Sequence, residues 1–179
     1  MKNNGKYIVG LIILILVLVF GAGIIIVNRS STARRIQVVY IPKARDDAND
    51  FWTSLLKGAQ MAANEYDVDL TILAPDSEQD FEAQVRYIDE AIAMNPNAII
   101  LSPSSKSEIT EAANRIVVAG IRLVLIDSEL DQNLQSIVVE TDNVAAGRKM
   151  GEFILTHLPE NPVIGVVSHV KSSSTAQER

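Results

Sequence analysis

The chain lacks cysteine, and this absence excludes several kinds of protein. None of its 179 residues can form a disulfide framework, a thiolate zinc site or a lipid-modified thiol. The first 35 residues also lack aspartate and glutamate, so all 22 acidic side chains lie in residues 36–179, together with 11 of the 16 basic ones. Such an acidic body lacks the basic face that nucleic-acid binding requires, and we expect no nucleic-acid partner.

The sequence also lacks the motifs of common enzymes. No glycine-rich phosphate loop follows the first predicted strand, and no Ser/His/Asp or paired-carboxylate arrangement can be placed. The two histidines, His157 and His169, do not have the spacing of metal ligands. We therefore expect a protein that is not an enzyme and that holds no metal ion and no cofactor.

One long apolar run is present. Residues 8–27 contain no charged side chain, and about 20 apolar residues match the ~30 Å hydrocarbon core of a bilayer. Because a secretory signal has a shorter apolar stretch, roughly 7–15 residues, we expect residues 1–35 to be a membrane anchor and a short linker. The protein would be a single-pass cell-membrane protein with an extracytoplasmic body. Small residues at 31–33 leave a cleaved signal as the alternative.

After residue 35, short β-branched runs alternate with amphipathic helical patterns. Continuous apolar strands between such helices indicate a parallel sheet covered on both faces. The predicted fold class is therefore α/β, a doubly wound parallel sheet preceded by one N-terminal transmembrane helix. The expected strands are 36–41, 68–73, 98–101, 123–126, 137–139 and 163–167, and the expected helices begin near residues 51, 81, 108 and 144. Gly120 is placed to end the third of these helices.

Polar and aromatic residues follow four of the predicted strands. In an open parallel sheet ligands bind beyond the carboxyl ends of the strands, so these residues should gather at one edge. They are Asn49-Asp50-Phe51-Trp52, Ser102-Pro103-Ser104, Asp127-Ser128 and Thr141-Asp142-Asn143. The same stretch also contains the run Asn97-Ala98-Ile99-Ile100-Leu101, the pair Gly120-Ile121, Gly147 and the segment Ala176-Gln177-Glu178-Arg179.

In this order, the features resemble the sugar-binding branch of the periplasmic binding proteins, the ribose-binding type, over about residues 37–179. The resemblance implies the type I fold, in which crossing strands hinge two α/β lobes around a monosaccharide. It places the first lobe at 36–141 and the start of a truncated second lobe at 142–179, as a fragment or a truncated gene product. It implies a partner in the membrane permease of an ABC-type sugar transporter. The alternative is a sugar-sensing module that acts with a membrane sensor kinase of the histidine kinase type or with a chemoreceptor.

Carried over position by position, the resemblance also implies the ligand-binding residues. Asp127 would accept hydrogen bonds from sugar hydroxyls, and Arg179 would donate to them from the second lobe, both as charge-assisted bonds. The aromatic residues would pack on the C–H faces of the ring. The full set is Asn49, Phe51, Trp52, Asp127, Ser128, Thr141 and Arg179.

Structural roles are the alternatives for the same residues. Phe51 and Trp52 could join the start of a helix to the core. Asp127 could be an ordinary turn residue after a strand. Thr141 and Asn143 could cap the helix that follows them.

Overall fold

The structure is a computed structural model that describes residues 15, 35–45, 49–159, 162–165, 167, 175 and 177. The chain divides into two compact units, Met1–Arg35 and Ile36–Arg179, and the elements named here belong to the second. In chain order they are β1 (Gln37–Ile41), α1 (Asp50–Glu65), β2 (Asp69–Ile72), α2 (Phe81–Ala93), β3 (Ala98–Leu101), α3 (Thr110–Val118), β4 (Arg122–Ile126), β5 (Ile137–Val139) and α4 (Asn143–His157).

The strands form one parallel sheet with the order β2-β1-β3-β4-β5. The parallel α/β class predicted from the sequence is confirmed. β1 lies between β2 and β3, so the direction in which the chain adds strands reverses beside β1. In sheets of this kind the loops on the two sides of the reversal separate, and a crevice for ligands opens beyond the carboxyl ends of the strands.

One face of the sheet carries the hydrophobic core. Val39, Ile99 and Leu123 lie side by side in the parallel register, so their side chains point to the same face. They are at most 1% exposed and pack with Ile88 of α2 and Ile116 of α3, both fully buried. The apolar runs of the sequence therefore form the hydrophobic core, and this core fixes the positions of the strand ends.

The opposite face is buried less completely than the sequence suggests. The right-handed crossover rule places α1 on this face, and α1 packs against β2. Farther along the sheet, Ile100 and Val124 are only partly buried, and Ile137, which pairs with Val124, is 57% exposed. Helices therefore lie on both faces, as predicted, but α2 and α3 both pack on the core face, so the opposite face is less deeply buried along β3, β4 and β5.

The predicted sixth strand is also wrong for the residues that the structure describes. Residues 163–165 and 167 are not in a strand, and Val163 and Val167 are 102% and 98% exposed. A strand requires a neighbour to pair its N–H and C=O groups. No strand of the described part of the chain pairs with this segment, and an apolar β-branched segment without a partner does not form a strand.

Local signals at helix ends are partly confirmed. Gly120 follows α3 with a φ of 76°, the left-handed conformation that glycine adopts without a steric penalty. At α4 the capping prediction is wrong, because Asp142, and not Thr141 or Asn143, is the N-cap. Its carboxylate accepts the N–H of Ala145 at 2.8 Å, which is a favoured arrangement for aspartate at this position.

Among the described residues, no helix combines the length and the apolar character needed to cross a bilayer. The predicted anchor at 8–27 lies, apart from Ile15, outside the described residues.

Candidate ligand-binding site

The carboxyl ends of β1, β3 and β4 meet at one edge of the sheet. Ile41 and Leu101 pair across β1 and β3, and the N–H of Ser102 donates to the carbonyl of Ile41 at 2.9 Å. The residues that leave these strands are therefore brought side by side, beginning with Lys43 and Asp127. This edge includes the strand reversal, where the fold favours a ligand.

A buried ion pair joins the ends of β1 and β4. The Lys43 ammonium lies 2.7 Å from Oδ2 of Asp127, and the two side chains are 4% and 16% exposed. The Ser128 hydroxyl donates to the same oxygen at 3.0 Å. Asp127 has a φ of 72°, which aspartate tolerates better than most residues, and its N–H donates to Val139 at 2.9 Å. The carboxylate predicted to bind sugar is thus held in place and faces a buried cation.

The two aromatic residues at the start of α1 have different environments. Trp52 is 3% exposed, and its indole N–H donates to Oε1 of Glu78 at 2.7 Å. Phe51 is 52% exposed and meets the Trp52 ring edge to face, with centroids 4.9 Å apart. The Lys43 ammonium lies 6.0 Å from the Trp52 ring centroid, at the outer limit of a cation–π contact. The Asn49 side chain caps the helix by accepting the Phe51 N–H at 3.0 Å.

Gln84 joins the loops on the two sides of the crevice. Its fully buried amide donates to the carbonyl of Pro42 at 3.1 Å and to that of Ser102 at 2.9 Å. Its oxygen accepts the N–H of Ser104 at 2.9 Å. Because a buried backbone polar group without a partner is costly, this one side chain holds together the two loops that leave β1 and β3.

Tyr40 adds a buried hydroxyl beneath the same edge. Its hydroxyl and that of Ser102 share a hydrogen bond of 3.2 Å. Burial raises the pKa of Tyr40 to about 12, the Asp127 charge acts in the same direction, and the bond to Ser102 acts against both. Tyr40 is therefore neutral at physiological pH. The Ser104 hydroxyl is also buried and has no hydrogen-bond partner among the described residues.

The structure brings together only part of the predicted set. Trp52, Asp127 and Ser128 lie around Lys43, whereas Thr141 is exposed beyond β5 and Arg179 lies outside the described residues. Sequence reasoning missed Lys43 and the supporting residues Tyr40 and Gln84. A lysine two residues beyond a strand end was a visible signal, but its burial was not.

The strand reversal and the polar strand ends define a doubly wound α/β protein with a candidate ligand-binding crevice at the carboxyl edge of its sheet. Residues 38–179 match the family described as periplasmic binding protein domain, and the chain belongs to this family. The membership predicted from the sequence is confirmed.

Three similar proteins illustrate the relationship. The ribose import binding protein RbsB of Bacillus subtilis is 26% identical over 73% of this chain and 42% of its own length. The D-allose-binding periplasmic protein of Escherichia coli is 28% identical over 74% of this chain and 45% of its own. The structure of a sugar transporter from Clostridium phytofermentans is 42% identical, with a TM-score of 0.76, over 79% of this chain and 52% of that one. The chain thus spans about half the length of these proteins.

Proposed function

We propose that the protein is an extracytoplasmic solute-binding protein that recognises a monosaccharide for an ABC-type sugar transporter, as a binding component and not as an enzyme. The observation that carries the proposal is the partly exposed Phe51 ring on the same edge of the sheet as the Asp127 carboxylate. An apolar plane and a charged acceptor match the C–H face and the hydroxyls of a sugar. The relatives' names refer to ribose, allose and sugar transport.

The roles of the residues follow from their surroundings. Phe51 provides the exposed plane, and the buried Trp52 supports it. Asp127 accepts from a sugar hydroxyl, and Ser128 holds its carboxylate. Asn49 acts chiefly as the cap that orients Phe51, because its side-chain oxygen already accepts a backbone N–H.

We further propose that residues 36–141 form the first lobe and that 142–179 begin the second, from which Arg179, with Thr141 at the boundary, would reach sugar hydroxyls. The names of the relatives refer to import and transport, so we favour a transporter permease over a sensor kinase or chemoreceptor as the partner.

Sugar binding is testable with a probe that the protein already contains. Trp52 is the single tryptophan of the chain, so its fluorescence reports on this edge alone. The 179-residue chain, purified in detergent, is titrated with pentoses and hexoses that include D-ribose and D-allose. Because residues 142–179 supply only the start of the proposed second lobe, we expect weak but saturable binding of at least one sugar, and calorimetry should give the same Kd. If no sugar binds by either method, the proposed function is wrong.

A matched pair of variants tests the role of Phe51. Phe51→Ala removes a ring from the candidate site, and Phe153→Ala removes a similarly exposed ring from α4, where it stacks on His157. An aromatic contact contributes about 0.5–1.5 kcal/mol, so Phe51→Ala should weaken binding roughly two- to tenfold. Phe153→Ala should leave Kd unchanged. Equal effects of the two variants would contradict this placement of the sugar.

We also propose that residues 8–27 anchor the protein in the membrane, and this requires a separate experiment. Cells that express the full chain are fractionated, and the N-terminus of the product is sequenced. We expect the intact chain in the membrane fraction and its release by detergent but not by high salt. A soluble extracytoplasmic product that begins at Arg34 would show that the segment is a cleaved signal.

A further inference from the structure

We propose that Lys43 determines the charge specificity of this site, so that the protein accepts neutral sugars and rejects amino sugars. The inference depends on the proposed function, because it names the class of sugar that the same site binds. It adds Lys43, which does not belong to the set of ligand-binding residues predicted from the sequence.

The position of Lys43 carries the inference. Its ammonium is 2.7 Å from the Asp127 carboxylate, and its side chain is 4% exposed. A ligand atom that hydrogen-bonds to the same carboxylate oxygen at about 2.8 Å would lie no more than about 5.5 Å from the ammonium. Any charge on that part of the ligand therefore meets both members of the pair.

The two members of the pair act on a ligand charge in opposite directions. A buried carboxylate alone would attract a protonated amine and select for it. When the lysine is present, its ammonium repels the protonated amine of the ligand at a distance of about 5.5 Å. At an effective dielectric constant of about 20, this repulsion weakens binding roughly a hundredfold. At the same dielectric constant this repulsion cancels about half of the attraction by Asp127 at about 2.8 Å, and the cost of desolvating the amine opposes the remainder. A sugar hydroxyl, which carries no charge, avoids both penalties.

The experiment compares the neutral sugar that binds best with its amino-deoxy derivatives. Trp52 fluorescence gives Kd for the full chain in detergent at about pH 6, where a sugar amine is protonated. The measured quantity is the ratio of Kd for the amino sugar to Kd for the neutral parent. For the wild-type chain we expect a ratio above one, because the attraction that remains beside Lys43 is smaller than the cost of desolvating the amine.

Variants of Lys43 separate its charge from its packing. Lys43→Met removes the charge at similar length, and Lys43→Gln also keeps a donor for Asp127. Both should lower the ratio at least about tenfold, whereas Lys43→Arg should preserve it. The control is Lys106→Met, which removes an equal charge from a partly exposed pair with Glu129, where the distance is 3.9 Å. It should leave the ratio unchanged.

The outcomes distinguish this inference from the proposed function. If no neutral sugar binds, the proposed function fails. If a neutral sugar binds but the ratio stays within twofold in Lys43→Met, charge selection by Lys43 is wrong. Melting temperatures establish that each variant is folded, and Lys43→Gln provides the decisive ratio if Lys43→Met does not fold.

Discussion

Replacing Asp127 by asparagine should destabilise the fold much more than an ordinary turn substitution. At 2.7 Å between Lys43 Nζ and Asp127 Oδ2, the gross attraction is about 6 kcal/mol for an effective dielectric constant of about 20. Desolvation offsets much of this attraction, yet removing one partner of a buried pair typically costs about 3–5 kcal/mol. Because Asp127 retains 16% exposure, we expect a loss near the lower end, about 3 kcal/mol.

A double-mutant cycle measures the coupling within this pair. Urea unfolding of wild type, Asp127→Asn, Lys43→Met and the double variant is followed by the fluorescence of Trp52, which is buried beside the pair. The double variant should lose less than the sum of the single losses, by about 2 kcal/mol or more. As a control, Glu129→Gln in the partly exposed pair should cost less than about 1 kcal/mol.

Two results together would refute the reasoning. If Asp127→Asn costs under about 1 kcal/mol and the cycle is additive, the Lys43 ammonium reaches water when its carboxylate is removed. Burial would then not make the pair a coupled unit. A drop in stability alone does not assign Asp127 to structure rather than to binding, so sugar affinity has to be measured separately on the folded variant.

Three further predictions follow from individual residues. Asp127→Asn should weaken sugar binding about ten- to 150-fold in a Trp52 titration, since a charge-assisted hydrogen bond contributes about 1.5–3 kcal/mol; affinity within twofold of wild type would remove Asp127 from the site. Burial raises the pKa of Tyr40 to about 12, so the unfolded chain releases this proton at a lower pH than the folded chain does. Stability should therefore fall as pH rises from about 10 towards 12, by about 1.4 kcal/mol at pH 11. Urea unfolding of Tyr40→Phe at pH 8 and pH 11 should lack this loss, and an equal loss in the variant would contradict the assignment. Gln84→Leu leaves three buried backbone groups without their partner and should cost about 3 kcal/mol or more in urea unfolding, whereas a cost below about 1 kcal/mol would show that the two loops do not depend on this amide.

Much of the fold could be predicted from the sequence because its signals are local. Apolar β-branched runs predict strands, helical spacing predicts helices, and a glycine such as Gly120 predicts a helix end. Each of these signals depends only on residues a few positions apart. Parallel pairing then places the carboxyl ends of all the strands at one edge, which is why the sequence alone predicts that Trp52 and Asp127 lie in one site. The same local reasoning failed at residues 163–165 and 167, where forming a strand depends on a neighbour and not on the segment itself.

Only the tertiary structure decided what surrounds those residues. Whether Phe51 or Trp52 is buried depends on how α1 packs, and either outcome is compatible with the sequence. The pairing of Lys43 with Asp127 depends on strand order and register, which bring the ends of β1 and β4 to the same edge although a helix-rich segment separates them along the chain. The sequence shows which polar residues follow the strands. Burial and long-range pairing in the fold decide which of their charges a ligand would meet.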